Sequence, residues 1–293
     1  MEGRPVDRRT FLRAGALAAA AAWPATRALA CPEEHYKLSL AAYSCRKFLD
    51  LKNPTMTLEE FIKKCAEWGC QGTELTEYYF QKPVTPEYIQ KLKETVRAAG
   101  LEVTGTPIGN KFTLPPGEAR DKEVARVKQW IDVSADLGSP AIRIFAGDAA
   151  KGTSEADARK WAVECIEACL PHAEKRNVIL ALENHGGIVA TAEGMLEFNK
   201  AVKSKWFGFN LDGGNFRGED PYADIERCAP FAVTCQVKAE ISRAGKKEDA
   251  DYGKIVGILR KANYKGFVTL EYESAEDPMT AIPKHLAALK KVL

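Results

Sequence analysis

The 293-residue chain is 45% hydrophobic and 28% charged, with a formal net charge of +2, an ordinary globular composition that can furnish a sizeable core. So balanced a charge supplies no global field for nucleic acid or an anionic membrane surface. Eight cysteines are present, but Cys65/Cys70 and Cys165/Cys169 lack the CxxC spacing of zinc or redox sites, which leaves buried thiols or disulfides.

The chain opens with "DRRTFLR" (7–13), in which Arg8-Arg9 precede Phe11 and Leu12, a pattern that resembles the twin-arginine export motif. The apolar run "AGALAAAAAW" (14–23) is shorter than the roughly 20 residues needed to span a bilayer. "ALA" (28–30) then offers a small-x-small cleavage site. The expectation is a twin-arginine signal peptide over 1–30 and a single domain over 31–293, exported to the periplasm or beyond, with no stable membrane insertion after cleavage. Five arginines against Glu2 and Asp7 leave with the first segment, so the remainder is nearly neutral.

Eight short apolar runs follow: 37–44, 72–75, 101–108, 141–147, 178–184, 208–212, 233–239 and 267–273. Helix-like stretches alternate with them at 57–69, 85–100, 119–137, 154–176, 191–203, 221–228, 250–263 and 278–292. Thr57 and Thr85 stand at N-cap positions, Pro86 at a first helical position, and Gly69 and Gly100 at helix ends. Parallel strands need crossover helices and, when covered on both faces, read as apolar runs rather than alternation. Eight such units predict an α/β fold, a single-domain (β/α)8 TIM barrel. A doubly wound sheet is the alternative, weakened by the lack of a Gly-rich loop after the first run.

Chemistry in such a barrel sits at the C-terminal strand ends. The fifth run ends in Glu183 and the sixth in Asp212; the seventh carries Gln236 and the eighth Glu271. Carboxylates crowded at one mouth repel one another and lose hydration unless a positive charge lies among them. A divalent cation is the simplest such charge. Hard oxygen donors favour Mn2+ or Mg2+, with Co2+ and Zn2+ as alternatives.

"ALENHGG", "FNLDGGN", "CQVKAE" and "TLEYE", in this order, resemble the xylose-isomerase-like barrels: sugar isomerases, ketose 3-epimerases, hydroxypyruvate isomerases and inosose dehydratases. The resemblance implies that Glu183, Asp212, Gln236 and Glu271 bind one divalent metal. Gln236, with Arg243 seven residues on, is similar to the hydroxypyruvate-isomerase branch, whereas ketose epimerases place His there. Asn215 stands where relatives usually carry a substrate-binding His.

The chemistry so implied moves a proton beside a carbonyl through an enediolate. Glu183 and Glu271 are the predicted acid/base pair, with Asp212 and Gln236 as ligands only. His185, Lys238, Asn215, Arg243 and Glu74 are candidate substrate contacts, with Tyr43, Asn110 and Arg143 as weaker strand-end candidates. Lys238 shares a strand face with Gln236 and needs a partner, either a substrate oxygen or a carboxylate such as Glu240 or Glu271. Arg243 contacts substrate or belongs to a charged loop over 242–249. The expected activity is an exported sugar isomerase or epimerase acting on a sugar or keto-sugar, with homo-oligomerisation left open. Alternatives are a metal-dependent lyase or dehydratase acting on a keto-sugar or keto-glycoside, and a non-catalytic sugar-binding barrel. A DNA-cleaving relative of this barrel needs three zincs and many histidines, against the four here.

Overall fold

The computed structural model describes residues 36–293; the expected signal peptide lies outside them. Seven strands come first: β1 (Leu38–Ala41), β2 (Gly72–Glu74), β3 (Glu102–Gly105), β4 (Ala141–Ile144), β5 (Ile179–Glu183), β6 (Phe207–Asp212) and β7 (Ala232–Val237). A hairpin, β8 (Glu240–Arg243) with β9 (Lys246–Asp249), precedes the last barrel strand, β10 (Val268–Leu270). The helices are the short α1 (Arg46–Leu49), then α2 (Leu58–Glu67), α3 (Pro86–Ala98), α4 (Glu118–Leu137), α5 (Glu155–Arg176), α6 (Ala192–Ala201), α7 (Pro221–Cys228), α8 (Tyr252–Lys261) and α9 (Pro278–Lys290). Among the described residues, no helix is long and apolar enough to cross a membrane.

The eight parallel strands run in the order β3-β2-β1-β10-β7-β6-β5-β4. The seam between β3 and β4 is closed by the residues just after β3, where Thr106 N–H donates to Ala141 O (3.2 Å) and Ile108 N–H to Arg143 O (3.1 Å) of β4. The result is the expected (β/α)8 barrel. Side chains confirm the closure: Gln236 of β7 reaches Glu74 at the end of β2 at 2.7 Å, although β1 and β10 lie between those strands. Both side chains therefore point into the barrel.

Local chemistry explains the element ends. Thr57 and Glu60 form a capping box on α2, worth about 1 kcal/mol. Thr85 caps α3 with Pro86 at its first position. Gly69 and Gly100, both at positive φ, follow α2 and α3 as the sequence predicts. The core packs the helices onto the barrel, with Phe61, Ile131, Ile166, Phe198, Ile225 and Leu259 all buried. The seven described cysteines are free and buried, so the thiol reading holds for them.

The hairpin departs from expectation. Residues 242–249, read as a charged loop, form most of an antiparallel pair. Ala244 (φ 46°) and Gly245 (φ 78°) make the two-residue turn. Positive φ at both positions is the twist that flanking strands favour.

Candidate active site

The mouth is built by the C-terminal ends of β4 to β7 and β10. Ladder register puts the key residues on one barrel face but at staggered heights: Asp212 lies opposite Gln236, Glu183 opposite Asn210, two residues before Asp212, and Gln236 opposite Thr269, two before Glu271. Glu271 follows β10, its N–H donating to Val237 O at 2.9 Å. Glu74, Glu183, Asp212, Gln236 and Glu271 are all buried. The four residues predicted on consecutive barrel strands are thus all buried at one mouth, and Gln236 touches both Glu271 and, from β2, Glu74.

Two internal cations stand among these acids. Arg143, at the end of β4, places Nε 3.0 Å from Glu183 Oε2, while its guanidinium lies 3.9 Å over the Phe145 ring. Lys238, one residue past β7, donates to Glu271 and Glu273 and lies 3.3 Å from Asp212 Oδ2. Its partners are thus three carboxylates that include Glu271 but not Glu240. Gly214 makes room for its stem, since a Cβ there would stand 2.7 Å from Lys238 Cδ.

The pair assigned as acid and base are held in opposite electrostatic states. Burial pushes Glu183 up to about 7, with Arg143 opposing it. Glu271 is just as buried, yet the Lys238 ammonium, in charge contact and hydrogen bond, holds it below the ordinary glutamate range. Burial pushes Asp212 up to about 8 against the pull of Lys238, and pushes Glu74 up to about 8 with help from Glu271. Lys238 itself is raised, its three carboxylates outweighing its burial.

A polar frame fixes these groups. Asn215 Nδ2 donates to Glu183 Oε1 at 2.8 Å. Asn184 clamps the Asp212 backbone, donating to its carbonyl (2.8 Å) and accepting from its N–H (2.9 Å). Thr234 donates to Asn210, Asn210 to Gln236 Oε1, and Gln236 Nε2 to Glu74, each at 2.7 Å. Gly186 and Gly187, at φ 70° and 53°, turn the chain after β5 and leave His185 at the open rim. The imidazole stacks on Phe145, ring centroids 4.3 Å apart. That packing, aided by the Arg143 charge, lowers its pKa below the ordinary histidine value.

Arg243 lies elsewhere. Its guanidinium contacts Glu248 (2.9 Å), Asp220 (3.7 Å) and the Tyr222 ring, none of them in the acidic cluster. Strand alternation is the reason, because Arg243 shares the hairpin face of Ile241 and Glu248 rather than that of Glu240 and Ser242. Asn110 joins the β3–β4 seam, exchanging two hydrogen bonds with the Phe145 backbone. Tyr43 packs edge-on against Tyr78 at the rim. Sequence reasoning passed over Glu273, Asn210 and Asn184. Period-two spacing from Glu271 and Asp212 points to the first two, since residues two apart share a strand face.

The donor chemistry suits a hard divalent cation in kind. Asp212 Oδ2 is buried and lacks a hydrogen-bond partner. The carboxylates outnumber the two cations facing them, and a divalent charge would favour the ionised forms of Glu183 and Asp212, which burial first and neighbouring carboxylates second disfavour. Among the described residues, however, no three acidic, histidine or cysteine side chains already converge as a ligand set. Lys238 stands between Asp212 and Glu271, and Gln236 turns Nε2, not its oxygen, toward Glu74 and Glu271. A metal would compete with Lys238 and would take the Gln236 oxygen only after that amide turned over.

A (β/α)8 barrel with an acidic mouth and internal cations is a fold and site suited to small polar substrates. The chain belongs to the xylose isomerase-like TIM barrel family, whose match spans residues 62–292. No curated protein matches it by sequence. Among solved structures it is similar to 3-keto-D-glucoside 4-epimerase YcjR from E. coli (TM-score 0.70, 17% identity, 88% of this chain and 100% of that one). It is also similar to a D-psicose 3-epimerase solved in the presence of D-fructose (TM-score 0.68, 16% identity, 87% and 89%). A third is a xylose isomerase-like barrel protein from Mycobacterium smegmatis in complex with magnesium (TM-score 0.68, 15% identity, 88% and 96%). At these identities the likeness establishes the fold.

Proposed function

We propose that this protein is a sugar isomerase or epimerase that moves a proton next to a carbonyl, aided by one hard divalent cation, Mn2+ or Mg2+, and that it works outside the cytoplasm. The observation that carries the chemistry is a pair of buried carboxylates at one mouth, each on its own cation: Glu183 on Arg143 and Glu271 on Lys238. Glu271, kept ionised by Lys238, takes the proton. Glu183, steadied by Arg143 and Asn215, serves as the partner that returns one from the other side. His185, neutral at the rim, donates to a sugar oxygen.

Glu183, Asp212, Glu271 and a turned Gln236 would hold the metal. When bound, it supplies electrophilic polarisation of the carbonyl. The sugar epimerase folds similar to this chain support a carbohydrate substrate, and the magnesium-bound one supports a hard cation. The export motif at 7–13 supports the location.

The test is exchange of substrate carbon-bound hydrogen with deuterated water, followed by NMR over a panel of keto-sugars with Mn2+ supplied. Glu183→Gln and Glu271→Gln should each slow exchange by about 10²–10⁴-fold, the usual worth of a general acid or base. Exchange at the wild-type rate in both variants would remove the acid/base assignment. Loss of water or of a glycosidic substituent, in place of a product of equal mass, would move the reaction to the elimination class.

A further inference from the structure

Beside the acidic cluster, the β8–β9 hairpin roofs a cavity of about 120 Å3 that the proton-transfer reading leaves unused. Its walls come from Asn215 and Lys238, from Glu240, Ile241, Ser242 and Lys247 of the hairpin, and from Glu273 and Ser274 after β10. Ser242 pairs with Lys247 in the hairpin register, so one strand face carries Glu240, Ser242 and Lys247 at the cavity; of the other face Ile241 borders it, while Arg243 and Glu248 pair with each other and do not. The cavity joins the reacting groups directly: Asn215 touches Glu183, and Lys238 touches Asp212, Glu271 and Glu273.

Size and charge define the occupant. Self-sufficient pockets for drug-sized ligands run to about 300–1,000 Å3, so this cavity holds one part of a ligand whose remainder sits elsewhere. Its cations are already committed. Lys238 serves three carboxylates, Lys247 reaches Glu240 at 3.4 Å, and the guanidinium of Arg217, also in the wall, donates to the Gly214 and Phe216 carbonyls. A phosphate would therefore find two carboxylates and no unpaired cation. Closely spaced donors and acceptors, such as the Ser274 hydroxyl on Glu240 Oε2 at 2.9 Å, suit a neutral polyol, whose hydroxyls both give and accept.

We infer that the cavity is a second sugar subsite, which takes the substituent of a glycoside whose other unit lies over Glu183 and Glu271. The substrate class is then a keto-glycoside or keto-disaccharide rather than a free or phosphorylated monosaccharide. This rests on the sugar-directed reading above.

The test is binding of unreactive probes to the full protein by NMR: glucose, glucose 6-phosphate, and the disaccharides trehalose and cellobiose. At least one disaccharide should bind about tenfold or more tightly than glucose, a difference of about 1.4 kcal/mol. Ser242→Leu, which fills the cavity, should erase that preference and leave glucose affinity within about twofold. Lys247→Ala, on an exposed side chain that folding does not need, should weaken disaccharide binding alone. Equal affinity for glucose and both disaccharides, tighter binding of glucose 6-phosphate, or a preference untouched by either variant would each overturn the subsite. Because binding is read without turnover, disaccharide preference in a protein that exchanges no sugar hydrogen would sink the isomerase reading and leave the subsite standing.

Discussion

Replacing Lys238 with Met keeps the length of the side chain and removes its charge. In the native site that ammonium serves Asp212, Glu271 and Glu273, and the first two are buried. Breaking a buried pair by removing one partner costs about 3–5 kcal/mol, because the other charge stays buried and uncompensated. For a domain of this size each kcal/mol lowers Tm by roughly 2–4 °C, so the melt should fall by about 6–20 °C. The loss should also grow with pH. Lys238 lowers the pKa of Glu271, Asp212 and Glu183, so without it all three rise. A carboxylate raised in the folded state keeps a proton that the unfolded chain releases above about pH 4; its contribution is complete below that value and is lost as pH rises through the folded pKa. Glu271 changes sign: its depressed pKa in the native protein stabilises above the unfolded value, and the variant forfeits this. Thermal melts at about pH 5 and about pH 8 should therefore separate, with the larger deficit at the higher pH. Added Mn2+ should recover part of that deficit, up to about 2.7 kcal/mol at a hundredfold excess over Kd, and recover more in the variant than in the wild type. A Tm within about 2 °C of wild type at both values, or a larger deficit in acid, would refute this account of the site's charge balance.

Other outcomes follow from the same contacts. In the metal-free protein Arg143→Met should raise the pKa of Glu183 further, because the cation lowering it is gone, and Arg143→Lys should raise it less; NMR titration of the dialysed protein reads both, and an unmoved Glu183 would refute the pairing. Chelation followed by dialysis should lower Tm and abolish hydrogen exchange, with Mn2+ or Mg2+ restoring both, and an unchanged melt would speak against a resident metal. Arg8→Lys with Arg9→Lys should retain the protein in the cytoplasm on cell fractionation; unchanged distribution would remove the export proposal.

The barrel was legible because its signal is periodic and repeated. Every apolar run became a strand within a few residues, and helix starts followed Thr57, Thr85 and Pro86 because a cap acts through its immediate neighbours. Strand-end carboxylates were legible for a related reason, since the C-terminal ends of parallel strands share one mouth. What escaped the sequence depends on contacts between distant residues. Residues 242–249 carry so much charge that they read as solvated loop, yet Ala244 and Gly245 supply a turn that aligns two polar strands. Arg243 was placed by its distance from Gln236, but the hairpin's alternation decides its direction. The choice among partners for Lys238 could not be made by spacing at all. It depends on where the fold places the stem, which packs against Gly214 of the β6 loop so closely that a Cβ there would stand 2.7 Å from Lys238 Cδ.

The internal cations also bear on how the proposed divalent metal could share one mouth with a lysine. Burial raises Asp212 to about 8 even with Lys238 opposing it, and its Oδ2 lacks a hydrogen-bond partner, so the lysine alone compensates it incompletely. Were a metal the sole compensation, a lysine within reach of the same oxygens would oppose it. Glu273 reconciles the two, because it is partly exposed and already shares the ammonium. Lys238 can lean toward it when a divalent charge approaches Asp212 and Glu271, so one cation makes way for the other without leaving a bare carboxylate. Glu273→Gln should then weaken Mn2+ binding by removing the refuge for the ammonium, while leaving each proposed ligand in place. Titration of the dialysed variant by calorimetry reads this directly, and affinity equal to wild type would show that Lys238 needs no second partner.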